Sequence, residues 1–201
     1  VCKTPPLDTG ILDNGDFEFG LSPWSLDLVD LFSTHYALTT NPGGANASCT
    51  AFVVTMSSNP QTQDLRENLR LRSDLVFSLP GAVLEISFYV RFADRNAARL
   101  VLSANGQQLR VVSAFHYGPG GDENGTGTGG TGGGNEGDWT RIVIGYTTRD
   151  RLLQLSFSYE LESASGNTIW LDQVSILPST VPRPPQPPPP PATTLVTALK
   201  R

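Results

Sequence analysis

Apolar and polar residues alternate with a period of two along much of this chain, and no window holds a sustained helical stripe, so the pattern predicts strands. In "VLEISFYVRF" at 83–92, Leu84, Ile86, Phe88, Val90 and Phe92 fall on one face, with Glu85, Ser87, Tyr89 and Arg91 on the other. "LLQLSFSYEL" repeats the arrangement, setting Leu153, Leu155, Phe157, Tyr159 and Leu161 against Gln154, Ser156, Ser158 and Glu160. Strands with one apolar face belong to antiparallel sheets that pack on one another. Between these two segments, Asn105-Gly106 in "RLVLSANGQQLRVVSA" predicts a hairpin, because both residues tolerate the positive φ of a type I′ turn. Further strands are expected at "YALTT", "CTAFVVTM", "LRLRSDLVFSL", "TRIVIGYTT" and "TIWLDQVSIL", with one helical turn in "NPQTQDLRENLR". Many short strands separated by turn signals make an all-β antiparallel sandwich or barrel rather than βαβ units.

Near the start, "NGDFEFGLSPW" reads as a turn at Asn14-Gly15, then a first strand that Phe17 and Phe19 commit to the core, ended by Pro23-Trp24. Trp24, Trp139 and Trp170 are all assigned to the core, Trp170 because it shares a period-two face with Val174. Two low-complexity pieces stand apart. Gly118 to Gly137 holds 11 glycines and no apolar anchor, which makes it a spacer between strands. "PRPPQPPPPPATT" favours extended polyproline II, a stiff spacer of about 30 Å. The expected organisation is a sandwich domain over 1–178, with a Gly-rich loop at 118–137, and a Pro-rich linker or tail over 179–201 that leads toward a further domain.

Composition narrows the partners. A charged fraction of 16% with net charge −5 lacks the clustered basic surface on which phosphate neutralisation depends, so nucleic acid is excluded as the main partner. No apolar run is long enough to span a bilayer, so no membrane partner is expected. Cys2 and Cys49 are the two cysteines, either a disulfide contributing about 4 kcal/mol or two packed thiols. The sequons at Asn46 and Asn124, taken with that pair, favour a secreted, extracellular chain, free or associated with a cell wall. Lys200-Arg201 is either a dibasic processing signal or a basic tail.

Asp172 sits in "TIWLDQVSI", in register with apolar residues, and a buried carboxylate needs a partner. Glu18 and Asp16 offer further carboxylates near the other end of the domain, and a calcium ion would reconcile them. Together, "NGDFEFG…PW" at the start, "LPGAVLEISFYVRF" and "GDWTRIVIGYTT" in the middle, and "WLDQVSI" at the end resemble the jelly-roll carbohydrate-binding modules of families 4, 9 and 22. The likeness is strongest to the CenC-like domains of secreted fungal proteins, and it covers residues 11–177. It implies a galactose-binding-domain-like jelly roll and a structural Ca²⁺ on Glu18 and Asp172, with Asn14 and Asp16 contributing backbone oxygens. Gln173 stands where the family often has Asn or Asp, which leaves the coordination number open.

A sugar site pairs an aromatic platform with a few fixed polar groups. Tyr89 and Arg91, on the polar face of the 83–92 strand, supply a ring and a planar donor fork. Gln154, Ser156 and Glu160 are candidate neighbours, while Phe32, His35, Tyr36 and the run Phe115-His116-Tyr117 are candidate walls. A site poor in exposed Trp binds weakly. No nucleophile motif or Cys/His cluster is present, and Glu85 with Glu160 is the one carboxylate pair offered for glycoside hydrolysis. Three readings follow: a noncatalytic polysaccharide- or glycan-binding module, an extracellular adhesion or structural sandwich without sugar affinity, and, behind both, a glycoside hydrolase.

Overall fold

The structure, a computed structural model, describes residues 10–40, 44–45, 48–58, 66–95, 98–118, 139–161 and 165–179. Two five-stranded antiparallel sheets face each other. The first, here the platform sheet, runs β2 (Thr34–Thr39), β3 (Ala51–Met56), β12 (Asn167–Pro178), β6 (Val83–Phe92), β9 (Thr140–Thr147). The second, the ladder sheet, runs β1 (Ser25–Leu28), β4 (Arg66–Arg72), β11 (Leu155–Leu161), β7 (Ala98–Ala104), β8 (Gln107–Ser113). A two-stranded ribbon of β5 (Val76–Phe77) and β10 (Leu152–Leu153), and a single helical turn α1 (Ala114–Tyr117), complete the described elements.

The alternating faces of β6 and β11 meet between the sheets. Leu84, Ile86, Phe88, Val90 and Phe92 are buried on one side, and Leu153, Leu155, Phe157, Tyr159 and Leu161 on the other. Rings bridge the layers. Phe88 meets Phe157 edge-on at 5.2 Å, and Trp24, Phe17 and Phe52 extend the chain of rings to Tyr159 at centroid distances of 5.4 to 6.3 Å. Each such ring contributes roughly 2–3 kcal/mol by burial, with about 1 kcal/mol more for a well-placed aromatic pair. The Asn105-Gly106 hairpin joins β7 to β8 with φ of 48° and 79°, as a type I′ turn requires.

The first and last parts of the domain lie side by side. Gly10 forms a parallel bridge to Ile176, Ile11 N–H donates to Ile176 O at 3.1 Å, and Val174 N–H donates to Gly15 O at 2.8 Å. The opening stretch, however, is a chain of turns and not a strand. Asn14 stands at φ 50° and clasps those turns: its Nδ2 donates to Gly20 O and Ser22 O, and its Oδ1 accepts from Phe19 N–H. Phe17, at φ 56°, drops into the core, while Phe19 is 84% exposed. Trp24 is buried as expected and precedes the first strand instead of closing one.

Within "NPQTQDLRENLR", Arg66 to Arg70 belong to β4, so the helical turn is absent from the described part. Apart from Gly118 and Ser179, the Gly-rich loop and the Pro-rich tail lie outside the described residues, as do Cys2, Asn46 and Asn124. Cys49 is not a free thiol.

Candidate functional site

One residue decides which side chains reach the surface of the platform sheet. Gln173, at φ 49°, is an extra residue in β12, and the β12–β6 register shifts between Asp172 and Ser175. Such a bulge exchanges the two faces of the strand beyond it. Val174 and Ile176 therefore point into the core, while Trp170 and Asp172, on the near side of the bulge, point outward. Trp170 is thus half-buried on the outer face, not a core residue. Trp139, directly before β9, is likewise only half-buried.

Register assembles the outer face. Val53, Trp170 and Arg91 form one row across β3, β12 and β6. Tyr89 and Arg141 lie in the next row, and His35, Thr55 and Thr168 in the row on the other side. Arg91 lays its guanidinium over the Trp170 ring, 4.9 Å from the centroid. Its Nε is buried without a hydrogen-bond partner, and no carboxylate among the described residues forms an ion pair with it. Arg141 meets Glu85 loosely at 3.5 Å. The Thr55 and Thr168 hydroxyls share a hydrogen bond of 3.1 Å. The face therefore presents two aromatic side chains, a stacked guanidinium and several hydroxyls. Trp170, Arg141, Thr55 and Thr168 escaped the sequence reading: the bulge hid the first, and the others depend on which strands are neighbours.

The remaining candidates divide. Gln154 and Glu160 lie on the opposite outer face, that of the ladder sheet, and cannot share a site with Tyr89 and Arg91. Gln154 Nε2 donates to Ser73 O, and Glu160 forms an ion pair with Arg99 at 2.5 Å. That face is a lattice of paired charges, with Arg72 on Asp27 and Arg70 on Glu67 beside it. Glu85 and Glu160, with the whole sandwich between them, are on the order of 20 Å apart, far outside the roughly 5–9.5 Å that glycoside hydrolysis uses. Tyr36 is on edge strand β2, facing the core side against Phe52, and so does not join the outer face. Tyr117 packs against the core and accepts a hydrogen bond from Arg110 Nη2. His35 is a strand residue on the platform face, whereas Phe32 and Phe115 are exposed at one end of the sandwich.

The acidic groups gather beneath the loop at 44–50. Asp172 is fully buried, with Oδ2 accepting from Ala45 N–H and Oδ1 from Gln173 N–H, both at 2.7 Å. Gln173 Nε2 donates to Ala45 O, which ties the loop to the bulge. Glu18 Oε1 accepts from Ser48 Oγ, Cys49 N–H and Thr50 N–H at 2.6 to 2.9 Å. Burial is the main cause that pushes the Asp172 carboxyl up to about 7; its hydrogen bonds to Ala45, Gln173 and Ser48 oppose the shift, and nearby Asp16 adds to it. Calcium takes roughly six to eight oxygen ligands. Here the carboxylate oxygens are instead aimed at N–H and O–H donors, Asn14 O accepts from Trp24 Nε1, and among the described residues no three acidic, His or Cys groups converge on a metal position. As arranged, these residues do not form a calcium shell.

No family model matches the chain, and no curated protein matches it. Solved structures do. A family 61 carbohydrate-binding module in complex with β-1,4-galactotriose superposes with a TM-score of 0.52 at 17% identity, over 84% of this chain and 98% of that one. The K1 adhesin domain of Lys-gingipain from Porphyromonas gingivalis W83 gives 0.54 at 16% identity, over 82% and 96%; its K3 adhesin domain gives 0.52 at 20%, over 81% and 95%. The domain has the jelly-roll β-sandwich fold of carbohydrate-binding modules.

Proposed function

We propose that this chain is a noncatalytic glycan-binding module whose binding surface is the outer face of the platform sheet. The row of Trp170 and Arg91, with Tyr89 beside it, carries the reading. Sugars offer apolar C–H faces to aromatic rings and hydroxyls to donors held in a plane, and both kinds of partner stand on this face. The module solved with β-1,4-galactotriose supports a sugar as the ligand class. The separation of Glu85 from Glu160 argues against hydrolysis. A second reading, an extracellular adhesion sandwich without sugar affinity, draws on the adhesin domains that share the fold.

The same proposal has the chain acting outside the cell, with a Cys2–Cys49 disulfide, glycans on Asn46 and Asn124, and the Pro-rich run as a spacer toward another module or a cell wall. In this reading the acidic groups are held by the loop at 44–50, through Ala45 N–H on Asp172 and Ser48 Oγ, Cys49 N–H and Thr50 N–H on Glu18. The test is a panel of immobilised polysaccharides. Wild type should be retained by at least one, Trp170→Ala and Tyr89→Ala should release it, and Glu160→Gln should behave as wild type. A folded protein that none of the glycans retains would favour the adhesion reading.

A further inference from the structure

Arg70, Arg72, Arg99 and Arg141 each face a carboxylate, at 2.5 to 3.5 Å. Arg91 does not. It is half-buried, its Nε has no acceptor, and its one described interaction is the indole of Trp170. Stacking fixes the plane of the guanidinium; with Nε buried, the two Nη groups form the edge that a planar carboxylate can meet with two parallel hydrogen bonds. Removing a cation from water without giving it an anion is costly, so Arg91 gains more from an anionic ligand than a fully solvated arginine does. Arg141, diagonal to it beyond Tyr89, adds positive charge, since its hold on Glu85 is long and both side chains are partly exposed.

We propose that the ligand of this face is an acidic polysaccharide, one whose uronate carboxylate pairs with Arg91 while the sugar ring rests against Tyr89 and the exposed edge of Trp170. The proposal rests on the glycan-binding reading above and narrows it to a substrate class. Charge complementarity selects the occupant: a neutral glycan would leave the guanidinium without an anion, whereas Arg70, Arg72 and Arg99 on the outer face of the ladder sheet already have one.

The experiment measures affinity for three pairs of soluble polymers. Polygalacturonate and alginate are each compared with their carboxyl-reduced neutral forms, and dextran sulfate is compared with dextran. Uronate polymers should bind at least tenfold tighter than their reduced forms, and the preference should weaken as salt is raised. Arg91→Gln should remove the preference and Arg91→Lys should restore part of it, with unchanged melting temperatures showing that both variants fold. If a variant does not fold, Arg141→Gln on the same face should reduce the preference severalfold.

Equal affinity for native and reduced polymers overturns the uronate assignment and leaves the glycan reading standing. Equal sensitivity of dextran sulfate and uronate binding to Arg91→Gln and Arg91→Lys replaces carboxylate recognition with charge alone, and overturns it too. A uronate preference that Arg91→Gln leaves intact moves the anion site elsewhere. Binding to none of the six overturns the uronate assignment, and retention on the immobilised panel then decides the glycan reading by itself.

Discussion

On the ladder face, Asp27, Glu67 and Glu160 each sit on an arginine of a neighbouring or the same strand; on the platform face, Arg91 has an indole where those arginines have a carboxylate, and Asp172 lies sealed beneath a loop. Two sheets of one sandwich thus treat their arginines differently, Arg91 being left without a carboxylate where Arg70, Arg72 and Arg99 have one. The paired lattice has satisfied itself and holds little in reserve for a ligand. The platform face keeps an unpaired donor fork beside aromatic rings, and places its one buried charge where loop donors and a proton can manage it. Binding capacity follows from what is left unpaired, not from how many charges a face carries.

The largest expected effect comes from Asp172. Its folded value of about 7 lies above the ordinary 3.8, so the folded state keeps the proton to higher pH than the unfolded chain. The stability tied to that proton is fully present below pH 3.8 and is lost as pH rises to about 7, at about 1.4 kcal/mol per unit, or roughly 4 kcal/mol across the window. Urea unfolding at pH 4 and pH 8 should show the advantage of wild type over Asp172→Asn shrinking by that order. A difference that stays flat would mean that something else, a bound cation included, holds the carboxylate ionised.

Next in size is the lid over that carboxylate. A Cβ at Gly44 would overlap Asp172 Oδ2 and Ser48 Oγ, so Gly44→Ala should cost about 1–3 kcal/mol, read as a lowered melting temperature. On the ladder face, Glu160→Gln should cost about 1 kcal/mol or less and leave glycan retention unchanged; a loss of retention would shift the site to that face. Smallest of all, chelation followed by calcium titration should give no binding heat and no change in melting temperature, whereas a clear rise with calcium would show that loop donors are not the whole closure.

How far the sequence discloses this arrangement depends on the range of the pattern. Strands β6 and β11 and the Asn105-Gly106 hairpin are legible because each is a local alternation or a local turn preference. Trp170 is not, because one residue at φ 49°, Gln173, switches the face of everything before it relative to everything after, and a period-two count runs straight through it. Phe17 and Phe19 look equivalent on that count as well, yet the turns around Asn14 bury one ring and expose the other. The pairing of Tyr89 and Arg91 with Trp170, and their separation from Gln154 and Glu160, follow from which strands become neighbours, and residue spacing along the chain carries no such information.

The most direct measurement is a map of the bound face. Nitrogen-15 labelled protein is titrated with the polysaccharide that retains it best, and the Trp indole, Arg Nε and backbone resonances are followed. Shifts should concentrate on Trp170, Arg91, Tyr89 and Arg141 and leave Arg70, Arg72 and Arg99 unmoved. Shifts centred on those three arginines, or spread over the ends of the sandwich with Trp170 unchanged, would contradict the assignment of the platform sheet as the binding surface.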